Sequence, residues 1–283
     1  MENGYHEIES VFAFLDGLYD IIELDLTIQF HRGSATIAGV ADSDNSVKRA
    51  AEILMANFDD GVPHATVTKR LPICAGIGGG SSDAACFINA VFDHWSMPQQ
   101  EKLQHINLFD PLGSDTKVFL YKYIWNCDAV YLLGTGIDGV VRRIDSDVIS
   151  KDHVVVLVGS GTMLSTRLVY EAFAGPNDNA IGFQDTISQL RNIGTLVKHE
   201  ARNSLKQAAM QLDPSIAPTL RRLEKTEPIL YGMSGSGPTC FGIYKNLAEA
   251  QTAIDMMKCP FAMINTSSRY QILKIYVASL EVF

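Results

Sequence analysis

The sequence predicts a mixed α/β (α+β) chain of two domains, on three observations. Its 283 residues are long for one compact unit. Stretches that alternate with period two are interleaved with stretches whose apolar residues recur at helical spacing. A strand, a glycine-rich loop and a helix start follow one another between Ala65 and Trp95, and the rest of the chain is arranged around that unit. Ser150-Lys-Asp152 is the best boundary, giving domains at 1–150 and 151–283.

Near the start, Asn3-Gly4 is a turn signal. Tyr5 to Leu15 alternates over part of its length, Asp20 to Phe30 alternates clearly, and Ala35 to Val40 returns after Arg32-Gly33. The cap-rich run Asp42 to Ser46 starts a helix with Val47, Ala50, Ala51, Leu54 and Phe58 on one face. Gly61-Val-Pro63 ends it, and Ala65 to Arg70 reads as a strand.

Next comes Pro72-Ile73-Cys74-Ala75-Gly76-Ile77-Gly78-Gly79-Gly80-Ser81-Ser82, with Asp83 behind it. A helix follows, with Ala84, Ile88, Val91 and Trp95 inward. Free N–H groups at a helix start, with the helix dipole behind them, favour an anion. A polyphosphate is the natural ligand of such a loop. No Lys-Ser or Lys-Thr pair follows the glycines, so this is not a Walker loop. Ser81 stands where a dinucleotide fingerprint needs its third glycine.

Ser96 to Pro98 caps a short helix ending near Phe109. Asp115 then lies at the mouth of a predicted apolar strand, Val118 to Tyr123. Ala129 to Leu133 and Val140 to Ile144 are strands joined by Gly134-Thr-Gly136-Ile-Asp-Gly139. That spacing mimics a dinucleotide motif, but no helix follows it, so a plain hairpin is expected.

In the second half, Val154 to Val158 is a buried strand and Ser165 or Thr166 starts a helix through Phe173. Helices are predicted over Gln184 to Leu196, over Glu200 to Gln211, and from the Asp213-Pro214 region to Lys225. Two strands flank a second glycine loop, Met233-Ser-Gly235-Ser236-Gly237-Pro. Asn246 caps a further helix, and Ile272 to Val277 is the last strand.

A net charge of −9 argues against nucleic acid or a membrane surface as partner. No apolar run reaches the ~18 residues of a membrane span, and the first residues do not read as a signal peptide. The five cysteines and seven histidines show no metal-ligand spacing. Scattered thiols of this kind fit a reducing cytoplasm.

The Gly4-Tyr5-His6 start, the Pro72 to Ser82 loop with its Asp-Ala-Ala, and Met233-Ser-Gly-Ser-Gly-Pro-Thr-Cys-Phe241 together resemble the GHMP kinases. Gly4-Tyr5-His6-Glu7-Ile8 resembles the branch that phosphorylates a cytidine-diphosphate-linked methylerythritol. The resemblance covers essentially the whole chain and implies a nucleotide cleft between the two domains. It implies transfer of the ATP γ-phosphate to a 2-hydroxyl of that small-molecule substrate, in isoprenoid synthesis, with Mg²⁺.

By this resemblance, Pro72, Ile73, Cys74, Ala75, Gly76, Ile77, Gly78, Gly79, Gly80, Ser81 and Ser82 hold ATP, with Asn45 and Lys69 near the adenine. Tyr5 and His6 hold the cytosine and Tyr170 gives a second aromatic wall. Asp115 is the catalytic carboxylate, and Gly235, Ser236 and Gly237 close the phosphate region. Phosphoryl transfer needs positioning and charge neutralisation, with a carboxylate to orient the acceptor hydroxyl.

Departures from the family pattern open alternatives. Family members carry a Lys-x-Asn strand ahead of Asp-Gly-Tyr-His, and that Lys partners the catalytic Asp. Here Asn3 replaces the Asp, Pro111 intrudes, and Thr116-Lys117 replaces Val-Pro. The expectations are a start codon placed too late, or a truncated nucleotide-binding homologue with weak or no turnover. Another GHMP small-molecule kinase is a further alternative. A last reading gives the lost role to Lys117, which on a strand would share a face with Asp115.

Overall fold

A computed structural model describes residues 9–15, 18–26, 35–37, 45–125, 131–135, 140–143, 153–159, 161–173, 199–258, 262–264 and 276–277. The first half contains two small sheets around a layer of helices. Strands β1 (Glu9–Phe14), β5 (Tyr131–Thr135) and β6 (Val140–Arg143) run antiparallel in that order. The second sheet places β4 (His64–Thr68) between β2 (Ile21–Asp25), antiparallel, and β3 (Ala35–Ile37), parallel.

Three helices fill the space between. They are α1 (Ser46–Asn57), α2 (Gly79–His94) and α4 (Ser114–Ile124). Helix α1 starts where Asn45 accepts the Lys48 N–H at 2.9 Å, the N-cap its sequence predicts. It buries Val47, Ala50, Ala51 and Leu54. Phe87, Ile88, Val91 and Phe92 of α2 are fully enclosed, and Phe119 of α4 meets Phe14 of β1 edge-on with centroids 5.7 Å apart. Each such ring stabilises the fold by about 1.5–3 kcal/mol relative to exposure. Between α2 and α4 lie α3 (Gln99–Gln104) and a 3₁₀ turn, Ile106–Leu112.

The second half is one five-stranded sheet, β11-β7-β10-β9-β8. It is formed by β7 (Val154–Val158), β8 (His199–Glu200), β9 (Leu230–Met233), β10 (Cys240–Tyr244) and β11 (Ala262–Ile264). Helices α5 (Thr166–Ala172), α6 (Lys206–Leu212), α7 (Ile216–Lys225) and α8 (Leu247–Met257) accompany it. Its core joins Val156 and Tyr244 to Val169, Leu205, Leu223 and Ala253. Strand β12 (Tyr276–Val277) pairs with β1, on the first sheet.

Two predicted elements differ. Val118 to Tyr123 is part of helix α4, not a strand. Its apolar residues Val118, Phe119, Leu120 and Ile124 are all buried, so the face that would have betrayed a helix is missing. Glu200 to Gln211 is not one helix. Glu200 pairs with Tyr231 beside β9, and the helix starts only at Lys206. The glycine stretch at 134–139 does join two antiparallel strands, with Leu132 opposite Arg143. Residues 136–139 and the predicted helix at 184–196 lie outside the described residues.

Candidate active site

The loop of residues 72–78 leaves β4 and ends at the N-terminus of α2, where Gly78 has a left-handed backbone (φ 68°). The helix starts earlier than its sequence predicts, so Gly79, Gly80, Ser81 and Ser82 are its first turn and Asp83 falls in its second. Pro72, Cys74 and Gly80 are exposed, and Ser81 and Ser82 half-exposed. The Ser82 N–H closes the turn onto the Gly78 carbonyl at 2.9 Å, and the N–H groups of Gly79, Gly80 and Ser81 before it are unspent at the solvent-facing helix start, the arrangement that binds phosphate. Helix α1 starts beside it, since a Cβ on Gly80 would lie 3.3 Å from the Ser46 hydroxyl.

The apolar members of the loop differ in what they leave at its surface. Ala75 and Ile77 are buried, Ile77 at 3% exposure, and Ile73 is half-buried. Burying the Ile77 side chain anchors the loop to the body beneath it. Ala75 and Ile77 therefore turn their side chains into the protein, and what they can offer a phosphate is main chain. Ile73 keeps part of its side chain at the surface, between exposed Pro72 and exposed Cys74.

Beneath the loop sits a charge cluster that the sequence reading did not find. Lys69 donates to Asp83 Oδ2 at 2.9 Å and to Asp20 Oδ2. The second oxygen of Asp20 accepts the N–H groups of Arg70 at 2.6 Å and Leu71 at 2.9 Å. Burial alone would lower the lysine pKa, but the two carboxylates outweigh it and raise it. Asp83 is pushed up to about 6 by burial, with Lys69 pulling the other way. Lys69, expected near the adenine, thus has its ammonium between two carboxylates. Asn45 is buried as the cap of α1.

The second glycine loop meets the first from the other domain. Three donors from the second half take consecutive carbonyls of the first loop. Leu164 N–H reaches the Cys74 carbonyl at 3.3 Å, Thr239 N–H reaches that of Ala75 at 3.3 Å, and the Ser234 hydroxyl reaches that of Gly76 at 2.9 Å. The loops touch so closely that a Cβ on Gly76 would stand 2.3 Å from the Gly237 carbonyl oxygen. Gly235, Ser236 and Gly237 are therefore brought to the phosphate loop.

Their own loop is tied by Asn203, whose amide donates to the carbonyls of Met233 at 3.0 Å and Gly235 at 2.8 Å. Nothing in the sequence marks Asn203, which lies some thirty positions earlier. The Ser236 hydroxyl meets that of Thr166 at 2.9 Å, linking the loop to α5, where Tyr170 is half-buried against the second core.

Asp115, half-buried, stands in the first turn of α4. Helix α4 packs across α2, and the Tyr123 hydroxyl near its far end engages Ser82 and Cys86. Eight residues, about 12 Å of helix, separate Tyr123 from Asp115. No hydrogen bond or ion pair joins the Asp115 side chain to any other described residue. Removal from water alone pushes its carboxyl up to about 6, a value suited to a general base near neutral pH.

Lys117 is not its partner. In a helix, a residue two positions on faces away, and the Lys117 ammonium pairs with Asp110 and donates to Asn107 at 3.1 Å. Tyr5 and His6 lie outside the described residues.

Among the described residues no helix is long and apolar enough to cross a membrane. No group of three or more His, Cys, Asp or Glu among them could hold a metal ion.

Comparison with known proteins agrees with this geometry. Residues 45–113 match the GHMP kinases N terminal domain, and residues 186–262 match the GHMP kinases C terminal family. The chain is similar to 4-diphosphocytidyl-2-C-methyl-D-erythritol kinase of Bartonella tribocorum, at 32% identity over 90% of this chain and 85% of that protein. The protein of that name from Sphingopyxis alaskensis is 33% identical over 89% of this chain and 85% of its own length. Among solved structures, a 4-(cytidine 5'-diphospho)-2C-methyl-D-erythritol kinase shares the fold with a TM-score of 0.66 at 24% identity, over 98% of this chain and 93% of that one. A homoserine kinase from Cytophaga hutchinsonii shares it with a TM-score of 0.58 at 12% identity, over 95% and 96%. Matches to both GHMP kinase domains, and relatives matched along most of their length, give one conclusion: the chain belongs to the 4-diphosphocytidyl-2-C-methyl-D-erythritol kinases of the GHMP kinase family.

Proposed function

We propose that this chain transfers the γ-phosphate of ATP to the 2-hydroxyl of 4-diphosphocytidyl-2-C-methyl-D-erythritol. The observation that carries the reading is the open first turn of α2, its loop carbonyls held from behind by Leu164, Thr239 and Ser234. With the carbonyls spent on one side, the amides of residues 76–81 are left to wrap the phosphates, while the Ser82 N–H closes onto the Gly78 carbonyl at 2.9 Å. Pro72, Ile73 and Cys74 form the outer lip of that loop, and Ala75 and Ile77 seat it through their buried side chains. Gly235, Ser236 and Gly237 close the region from the second domain, with the boundary near residue 150. Asn45 and Lys69 would act on the nucleotide end from behind the loop, Asn45 as the buried cap of α1 and Lys69 as the tie between Asp20 and Asp83.

Asp115 orients the acceptor hydroxyl and takes its proton as the oxygen attacks phosphorus. Its raised pKa makes it a competent base once pH exceeds about 6. Tyr5, His6 and Tyr170 would receive the cytosine.

Mg²⁺ supplies charge neutralisation when bound. With Asp20 and Asp83 both spent on Lys69, the ion would be held chiefly by phosphate oxygens and water. The Ser81 hydroxyl is the hard oxygen donor that the loop offers.

A coupled ADP-release assay with ATP, Mg²⁺ and the cytidylyl alcohol tests the proposal. Turnover is expected with that alcohol and not with homoserine or mevalonate. ATP binding without turnover would instead favour a nucleotide-binding homologue, and preference for another alcohol would favour another GHMP activity.

A further inference from the structure

One carboxylate holds the entrance of the glycine loop directly and its exit through a lysine. Asp20 precedes β2, on the strand beside β4, and its side chain is almost wholly enclosed, at 2% exposure. One oxygen fixes the loop entrance through the Arg70 and Leu71 N–H groups. The other holds Lys69, which reaches on to Asp83 in α2 and so fixes the loop exit. Gly79, the first residue of α2, lies directly over this chain. A Cβ there would stand 3.4 Å from the Lys69 nitrogen and 3.8 Å from Asp20 Oδ2. The neighbouring Tyr19 adds a grip, with the Arg70 guanidinium 4.8 Å above its ring.

We propose that Asp20 is a positioning residue for ATP. It touches neither nucleotide nor acceptor, and it acts by holding the ends of the loop at the separation at which the amides of residues 76–81 converge on one anion. A loop tied at both ends has lost its conformational freedom before the ligand arrives, so binding spends less on ordering it. Charged acceptors suit this task, because a carboxylate on backbone N–H groups and an ammonium makes stronger bonds than a neutral oxygen. The inference rests on residues 72–82 being the ATP site.

The test compares wild type with Asp20→Ala and Asp20→Asn by steady-state kinetics and by isothermal titration with ATP. Asp20→Ala is expected to raise KM and Kd for ATP by at least about tenfold, with KM for the alcohol within about twofold. Asp20→Asn keeps an oxygen for the two N–H groups but loses the charge on Lys69, and should fall between. Equal loss of kcat and of affinity for both substrates would mark a merely structural role and overturn the proposal. So would wild-type ATP affinity in either folded variant. If Asp20→Ala does not fold, Asp20→Asn decides by the same criterion. A wild-type chain that binds no ATP would overturn the assignment of the loop itself, which variant data alone could not do.

Discussion

The loop at 72–78 takes its support from outside, by charge at its ends and by the other loop on its carbonyls, while the loop at 234–239 bonds to itself and to Asn203 through neutral hydrogen bonds. In the first, Asp20, Lys69 and Asp83 form one ionic chain, and Pro72 and Cys74 between the ends are open to solvent. In the second, Ser234 N–H reaches the Thr239 carbonyl at 2.9 Å, Gly237 N–H reaches Ser234 at 2.8 Å, and Asn203 ties two more carbonyls. Ser234, Ser236, Gly237 and Thr239 are all buried. The contrast separates two tasks. A surface that receives an anion must keep its donors unspent and wet, so its support comes from outside the loop. A surface that only braces another can satisfy itself and be buried.

The largest expected effect joins the two loops. Gly76→Ala places a methyl within 2.3 Å of the Gly237 oxygen, at a backbone φ of 69°. It should cost about 3–5 kcal/mol in urea unfolding and abolish ATP binding. Near-normal ATP affinity in that variant would mean that the loops do not meet in solution.

Asp115→Asn should spare both loops and remove the chemistry. Turnover is expected to fall about 10²–10⁴-fold with ATP affinity unchanged. In wild type, kcat should rise with pH through about 6, as the carboxyl loses its proton. The same residue opposes stability. Its folded pKa lies above the ordinary carboxylate value, so the stability it contributes is greatest while it holds the proton and falls as pH rises towards and past about 6. Asp115→Asn should therefore melt higher at neutral pH, by roughly 2–4 °C if relief from burial returns about 1 kcal/mol. A variant that melts lower than wild type at pH 7.5 would contradict this.

Two smaller effects sharpen the difference between the loops. Asn203→Ala leaves two carbonyls of the second loop without a donor and should cost about 2 kcal/mol in urea unfolding, with a modest change in ATP affinity. Ser234→Ala removes one bond to the Gly76 carbonyl and should cost about 1 kcal/mol, raising KM for ATP no more than about threefold. If Ser234→Ala weakened ATP more than Asp20→Ala, the brace rather than the ionic chain would set the loop geometry.

The order strand, glycine loop, helix was legible because it is written locally. Gly76 to Gly80 and the apolar residues behind them lie within one stretch, as does the Asn45 cap. What was not legible depends on distance along the chain. Asp20 meets Arg70 and Leu71 across fifty residues, and Asn203 meets Gly235 across thirty-two. No periodicity connects such pairs. Helix α4 failed for another reason. Surrounded by α2, β1 and the 3₁₀ turn, it has too little polar surface to show a period of 3.6, and Val118 to Tyr123 reads like a buried strand. That error also produced the pairing of Lys117 with Asp115, since shared faces follow from the period assumed.

The two pins on the phosphate loop also constrain its length. The entrance is fixed to Asp20 and the exit to Lys69, which Asp20 itself holds, and the middle already abuts Gly237. An extra residue between positions 72 and 78 would have nowhere to bulge except outward, over the exposed start of α2 that we propose receives the triphosphate. A deleted one would tear Lys69 from its neighbours. Most surface turns accept insertions and deletions; here the count of residues is itself part of the binding site.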